Sequence, residues 1–136
     1  MKTLVFGRDG QLGRAFQERI GSNPNVFFVG RQECDFFNVG LIKNYVERLA
    51  PDQIINAAAY TAVDCAEVDE KLATLVNSDA PIAMAQACAA IDIPLVHIST
   101  EYVFDGSGNA GWQTSDAVAP QNAYGRSKLA GEIGIR

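Results

Sequence analysis

The fold is decided by residues 3–13, Thr3-Leu4-Val5-Phe6-Gly7-Arg8-Asp9-Gly10-Gln11-Leu12-Gly13. The apolar run before Gly7 predicts a buried strand, and residues 14–20 continue as a helix. A glycine triplet alone would also fit an ordinary turn, but strand, turn and helix in this order favour dinucleotide binding. The first glycine allows a tight turn, the second lets the backbone approach a pyrophosphate, and the third lets the helix pack closely on the strand. The helix N-terminus then offers free N–H groups to the phosphates.

The rest of the chain alternates short apolar runs with segments of helical periodicity. Further strands are predicted over residues 26–29, 54–55 and 95–98, and helices over 41–49, 69–91 and 123–133. Pro81 lies inside the long helical region and marks a kink or a new first turn there. Residues 104–121 are rich in Gly, Asp, Ser, Pro and Asn and predict a loop. The alternation predicts an α/β fold, a doubly wound parallel sheet of the Rossmann-like NAD(P)-binding type.

Composition excludes several classes of protein. The chain has 136 residues and a net charge of −5, which fits one domain and argues against a basic nucleic-acid-binding surface. Its three cysteines are far apart, so reduced thiols are more consistent with the sequence than a disulfide framework. A single histidine argues against a zinc site, and we expect no metal. The N-terminal apolar run is too short for a signal peptide or a membrane span, so we expect a cytoplasmic location.

The end of the second predicted strand bears on the choice of cofactor. NAD-selective folds usually place an acidic residue there, which accepts a hydrogen bond from the ribose 2′-OH, whereas a nearby arginine accommodates a 2′-phosphate. Here Arg31 follows Gly30, and Glu33 comes two residues later. Arg31 therefore favours NADP, although a solvated surface arginine remains an alternative. Arg8, inside the glycine turn, is a second candidate phosphate contact.

Tyr124 and Lys128 are spaced four residues apart and share one face of the last predicted helix. Thr100 follows the fourth strand at its carboxyl end, where ligands bind in parallel sheets. An ammonium would lower the pKa of a neighbouring phenol, and the phenol could then donate a proton as hydride reaches a carbonyl carbon. The three residues therefore predict carbonyl reduction. An exposed helix face is the alternative interpretation of the Tyr124 and Lys128 spacing.

Four longer blocks make the sequence recognisable. They are Asn56-Ala57-Ala58-Ala59-Tyr60-Thr61-Ala62-Val63-Asp64, then Val76-Asn77 with Ala80-Pro81, then residues 97–106 (HISTEYVFDG) and residues 124–132 (YGRSKLAGE). The first two resemble the extended short-chain dehydrogenase/reductases, and together the blocks resemble the dTDP-4-dehydrorhamnose reductase family over essentially the whole chain. The family reduces the 4-keto group of dTDP-6-deoxy-L-lyxo-4-hexulose with NADPH or NADH and yields dTDP-L-rhamnose.

The resemblance implies a role for individual residues. Tyr124 would be the proton donor, Lys128 would hold the nicotinamide ribose, and Thr100 would contact the reacting part of the substrate, with Glu101 beside it. Asn77 is expected to brace the central strands. For Phe36 and Tyr60, core packing is the alternative. The complete cofactor-binding set is Gly7, Gly10, Gln11, Leu12, Gly13, Arg31, Asp35, Phe36, Ala59, Tyr60, Thr61, Ile98, Tyr124 and Lys128.

The sequence also departs from the family pattern. Glu101 replaces the usual Asp, and Trp112 and Thr114 stand where the loop usually carries Tyr and Glu, which affects substrate fit more than cofactor binding. The family continues well beyond Arg136, so residues 1–136 are expected to be the NAD(P)-binding domain without the C-terminal substrate-binding part. We accordingly expect weak NADP(H) binding and little turnover of the partner, a dTDP-4-keto-6-deoxy sugar.

Two alternatives remain open from the sequence. One is a non-catalytic, NADP-binding regulatory or truncated subunit. The other is a related sugar-nucleotide epimerase or dehydratase. Apolar surface left by a missing half would also favour association with further copies of the chain.

Overall fold

The central strand of the protein is β1 (Thr3–Phe6), which is buried along its whole length. In the computed structural model, which describes residues 1–136, β1 pairs in parallel with β2 (Val26–Val29) on one side and with β3 (Gln53–Asn56) on the other. The edge strand β4 (Leu95–His97) pairs in parallel with β3, so the strand order is β2-β1-β3-β4. This arrangement confirms the predicted parallel α/β fold.

Helices connect the strands as the hydrophobic periodicity predicts. Their bounds are α1 Gln11–Ile20, α2 Gly40–Leu49, α3 Val63–Val68, α4 Glu70–Thr74, a π-helical turn Leu75–Asp79, α5 Ala80–Ala90, a 3-10 helix Glu101–Val103 and α6 Ala123–Gly134. The predicted loop over residues 104–121 contains no helix or strand. None of these helices has the length and continuous apolar character that crossing a membrane requires.

The predicted helical region 69–91 is divided, for a local reason. Pro81 lies in the first turn of α5, and the Ala80 N–H donates to the Leu75 carbonyl, five residues earlier, in the π-helical turn. Proline cannot donate a helical hydrogen bond and its ring crowds the preceding turn, so the helix widens before it. The short helix α3, of six residues, precedes this region and is not predicted by the sequence analysis.

The main core lies between the sheet and two helices. Leu4, Phe6 and Ile54 of the strands are buried together with residues of α2 and α5, among them Val46 and Met84. The connection from β1 to β2 leads to the strand on one side of β1, and the connection from β2 to β3 leads back past β1 to the strand on its other side. Because such crossovers are right-handed, α1 lies on the opposite face from α2 and α5. The reversal lies between β1 and β3, and it opens a crevice at the carboxyl ends of those strands.

The glycine turn is packed backbone against backbone. Gly7 has a φ of +95°, and a Cβ there would lie 2.5 Å from the Ala58 nitrogen on the segment after β3. A Cβ at Gly13 would lie 2.0 Å from the Gly7 carbonyl oxygen. The first and third glycines therefore bring α1, β1 and the end of β3 within direct contact, as the sequence predicts for the third glycine.

Replacing Gly13 with alanine is expected to destabilise the fold by about 1–3 kcal/mol, because the added methyl group can fit only if α1 moves away from Gly7. Urea denaturation followed by circular dichroism measures the change in the free energy of unfolding. Gly111→Ala is the matched control: a Cβ at Gly111 meets no atom within 4 Å, so its effect should be within about 0.5 kcal/mol. Equal stability of the two variants would show that α1 does not need this close approach.

Candidate functional site

A cleft of about 730 Å³ opens at the carboxyl ends of the strands, a volume within the range of small-molecule and cofactor sites. The glycine turn, the ends of β2 and β3, the residues after β4 and α6 all contribute to its lining. Most of the residues predicted to bind a cofactor lie in this lining, namely Gly7, Gly10, Gln11, Leu12, Arg31, Asp35, Phe36, Ala59, Tyr60, Thr61, Ile98, Tyr124 and Lys128. Residues far apart in sequence are thus brought to one concave surface.

The glycine turn presents the start of α1 to the cleft. The backbone N–H groups of Gly7 and Arg8 both donate to the Val29 carbonyl, at 3.0 and 3.1 Å, so the turn is tied to the end of β2. Gly10 is the N-cap of α1 and is exposed, and Gln11 and Leu12 form the first turn. First-turn N–H groups have no partner within a helix, so this end of α1 can bind an anion. Gly13 is buried beneath the turn and does not line the cleft.

Two arginines lie at the end of β2, and carboxylates of the chain bind both. Arg8 Nε donates to Asp9 at 3.2 Å. Arg8 Nη1 donates to Glu33 Oε1 at 2.5 Å, and the other Glu33 oxygen accepts from the Gly30 N–H at 3.0 Å. The hydrogen bond from Arg8 holds the pKa of Glu33 below its ordinary value. Arg31 donates to Asp35 at 3.3 Å and lies over the ring of Phe37. A phosphate bound here would compete with these carboxylates for the arginines.

The end of β3 is positioned by Asn77, which is 1% exposed. Its side-chain oxygen accepts from the Tyr60 N–H at 2.8 Å, and its amide nitrogen donates to the Tyr60 carbonyl and to the Ser127 hydroxyl, each at 3.0 Å. Asn77 therefore connects the segment after β3 with α6, rather than bracing the central strands as the sequence analysis expects. Asn77 lies in the π-helical turn, between the Tyr60 backbone and Ser127 on α6.

Several contacts hold α6 against the cleft. The Asn122 side chain caps the helix by accepting from the Gly125 N–H at 2.7 Å, and Glu67 accepts from the Ala123 N–H at 2.6 Å. Arg126 donates to both carboxylate oxygens of Glu70, at 2.8 and 3.1 Å. The helix is thereby attached to α3 and α4, which places Tyr124 and Lys128 at a defined point of the lining.

Lys128 is buried, with 1% of its surface exposed, and makes no ion pair. Its amine donates to the Ile98 carbonyl at 2.5 Å. Burial lowers the pKa of Lys128 to about 8, while the Glu132 carboxylate acts in the opposite direction. Tyr124 is also buried, with its ring in edge-to-face contact with Tyr102, 5.5 Å between centroids. A phenol and a buried amine in one cleft can donate and redistribute a proton.

The two residues predicted to contact substrate lie outside the lining. Thr100 caps the 3-10 helix: its hydroxyl oxygen accepts from the Tyr102 N–H at 3.3 Å, and the hydroxyl donates to Glu101, also at 3.3 Å. Glu101 is exposed. Ile98 and Ser99, directly after β4, line the cleft. The 3-10 helix begins at Glu101, and neither Thr100 nor Glu101 contributes to the lining.

Several residues of the lining are absent from the predicted set, among them Ser99 and Cys34. Ser99 lines the cleft, and its hydroxyl donates to Glu132 on α6. Cys34 also lines the cleft, and burial raises the pKa of its thiol to about 11, so it is a neutral thiol at neutral pH. Ser99 comes two residues after the end of β4 and Cys34 five residues after the end of β2, and these positions are a signal that could have identified both.

Comparison with known proteins supplies a family. The family described as RmlD substrate binding domain matches residues 1–136. The dTDP-4-dehydrorhamnose reductase of Salmonella typhimurium is 42% identical over 140 residues, which cover all of this chain and 47% of that protein. The chain thus spans about half the length of the curated relatives it matches.

Solved structures similar to this chain are also dTDP-4-dehydrorhamnose reductases. The dTDP-4-dehydrorhamnose reductase of Clostridium acetobutylicum superposes with a TM-score of 0.91 at 38% identity, covering 99% of this chain and 49% of that one. The dTDP-4-dehydrorhamnose reductase of Bacillus anthracis, solved in complex with NADP, superposes with a TM-score of 0.93 at 35% identity, again covering 99% and 49%.

Proposed function

The chain belongs to the RmlD substrate binding domain family, and from this we propose that residues 1–136 are the NAD(P)-binding and catalytic part of a reductase. The proposed reaction is the reduction of the 4-keto group of dTDP-6-deoxy-L-lyxo-4-hexulose to dTDP-L-rhamnose. One observation carries the proposal: the glycine turn that can bind a pyrophosphate and the Tyr124 and Lys128 pair line the same cleft. A domain that only binds a nucleotide does not require a phenol and an amine beside the pyrophosphate site.

The cleft fits a dinucleotide, NADPH or NADH. Gly10 leaves open space above the turn, since a Cβ there would meet only the Gly7 carbonyl, at 3.4 Å. Gln11 and Leu12 would bind the pyrophosphate through their N–H groups, while Asp35 and Phe36 would lie at the adenine end. Ala59, Tyr60 and Thr61, held by Asn77, would line the middle, with Ile98 and Lys128 at the nicotinamide end. When bound, the dinucleotide supplies the hydride.

The chain's own residues would move the proton. The Tyr124 phenol donates its proton to the ketone oxygen as the carbonyl carbon accepts the hydride, which yields the alcohol. Lys128 would hold the ribose, and in its charged form would favour the resulting phenolate. Thr100 and Glu101, beyond the edge of the cleft, would contact the sugar. The buried Cys34 and Cys88 and the exposed Cys65 are all free thiols, which supports a cytoplasmic location for this chemistry.

Gln11→Glu tests dinucleotide binding. The added carboxylate should repel the pyrophosphate and weaken NADPH binding about tenfold, whereas an acidic residue in the first turn does not destabilise a helix. The affinity is measured by titrating the protein with NADPH and following the fluorescence of the nicotinamide. Gln86→Glu adds the same charge on the exposed side of α5 and should change nothing. Equal affinity of the two variants, or no saturable binding by the unaltered protein, would contradict the proposal.

Tyr124→Phe tests the proton donor. Because the chain spans about half of its relatives, the assay uses a chimera in which residues 1–136 replace the matching segment of the Salmonella typhimurium reductase. The substitution should leave NADPH affinity nearly unchanged and lower turnover of the dTDP-linked 4-keto sugar by about 100-fold or more. NADPH absorbance measures turnover, and Tyr45→Phe on α2 is the control. Equal turnover with and without the Tyr124 phenol would remove its assignment as proton donor.

Glu33→Gln tests the choice between NADPH and NADH. Removing the Glu33 carboxylate releases Nη1 of Arg8 and leaves Asp9 as its carboxylate partner. The guanidinium can then bind a 2′-phosphate more readily, so NADPH affinity should rise about tenfold relative to NADH affinity. Arg31→Ala should change the same ratio in the opposite direction if Arg31 contacts the 2′-phosphate. Both affinities are measured by fluorescence titration. An unchanged ratio in both variants would mean that neither arginine binds the 2′-phosphate.

A further inference from the structure

The side chain of Asn56 has a defined orientation beneath the cleft. Asn56 is fully buried at the end of β3 and is the register partner of His97 on β4. Its side-chain oxygen accepts from the Ala58 N–H at 3.0 Å. The amide nitrogen therefore faces His97 and lies 3.0 Å from the ring Nδ1. Reversing the amide would bring its N–H₂ group against the Ala58 N–H.

This orientation determines where His97 carries its proton. An amide nitrogen can only donate, so Nδ1 of His97 is the acceptor and is unprotonated. Burial is the main cause that lowers the pKa of His97 to about 4, so the ring is neutral at neutral pH. A neutral imidazole carries one proton, and with Nδ1 unprotonated that proton is on Nε2.

Nε2 lies 3.4 Å from the amine of Lys128. The same amine donates to the Ile98 carbonyl. An ammonium has three donors and no acceptor, so its N–H would oppose the Nε2–H. A neutral amine fits all contacts, since one N–H donates to Ile98, its lone pair accepts from His97, and its second N–H is free for the cleft. The hydrogen-bond pattern thus matches the uncharged form of the lysine.

We propose that His97 is a positioning residue for Lys128, which donates its Nε2–H to the neutral amine and so couples protonation of the lysine to the tautomer of the imidazole. When Lys128 takes up a proton from solvent, His97 gives up the proton on Nε2 and gains one on Nδ1. The Asn56 amide turns over at the same time and loses its bond to Ala58. This coupling opposes the charged form of Lys128, in the same direction as its burial.

The other charged groups around α6 do not replace His97 in this role. Glu132, on α6 itself, is the carboxylate that acts on Lys128, and it accepts from the Ser99 hydroxyl. Glu67 and Glu70 of α3 and α4 contact Arg126, which is two residues from Lys128 and so on a different face of the helix. The π-helical turn presents Asn77 and Ser78, which are uncharged, and its Asp79 is exposed. Glu101 of the 3-10 helix accepts from Thr100.

The first experiment determines the tautomer directly. His97 is the single histidine, so the ¹⁵N NMR spectrum of its ring contains one set of signals. At pH 9, above the pKa of Lys128, we expect a protonated Nε2 and an unprotonated Nδ1. A protonated Nδ1, or an imidazolium, would overturn the proposal. The inference relies on the proposed function only in taking Lys128 as a cofactor contact, and the measurement needs no dinucleotide, so the two can fail separately.

The second experiment is His97→Phe, which keeps a buried ring but removes the Nε2–H. Titration of the lysine Cε signals by ¹³C NMR follows Lys128, with Lys2, Lys43 and Lys71 as internal references at positions exposed to solvent. Loss of the hydrogen bond to the neutral amine should raise the proton affinity of Lys128 about tenfold. If burial alone lowered its pKa, the value would be unchanged or lower, which would overturn the proposal. Should the variant fail to fold, the tautomer in the unaltered protein decides the question.

Discussion

The close approach of three backbone segments at the glycine turn is the constraint on which the rest of the structure depends. Gly7 adopts a positive φ and contacts Ala57 and Ala58 after β3, while Gly13 lets α1 lie directly on the turn. A side chain at either glycine would separate the segments. Because the turn is also bonded to β2 through the Val29 carbonyl, the ends of all three strands and the start of α1 form one rigid floor for the cleft.

The opposite wall of the cleft depends on buried polar groups. Asn77 bonds the backbone of Tyr60 and the hydroxyl of Ser127, and Lys128 bonds the carbonyl of Ile98, so α6 is connected to the ends of β3 and β4. Unpaired polar groups at this depth would be costly, and every buried side-chain polar atom has a partner. Hydrogen bonds therefore fix α6 against the strand ends, and Tyr124 also packs in an apolar cluster with Ala66, Ala73 and Ala123.

Charge is distributed unevenly between the two ends of the cleft. At the β2 end, the guanidinium groups of Arg8 and Arg31 are partly exposed to solvent and are already paired with carboxylates, Arg8 with Asp9 and Glu33 and Arg31 with Asp35. At the other end, Lys128 has no carboxylate partner and its pKa is low because it is buried. At the β2 end, a 2′-phosphate would compete with the carboxylates for the arginines, which can select between NADPH and NADH. At the other end, the low pKa of Lys128 lets this amine gain or lose a proton near neutral pH.

The sequence by itself determined the parallel α/β fold, the four strands, the position of α6 and most of the cleft lining. These follow from local patterns, namely apolar runs, glycine spacing and a helical i, i+4 pair, which do not depend on distant residues. Only the tertiary structure decided that Thr100 and Glu101 lie outside the cleft lining, that Asn77 joins Tyr60 to Ser127, and that Asn56, His97 and Lys128 form one chain of hydrogen bonds. These contacts join residues 17 to 50 positions apart, or depend on how the chain leaves a strand, and no local pattern specifies either.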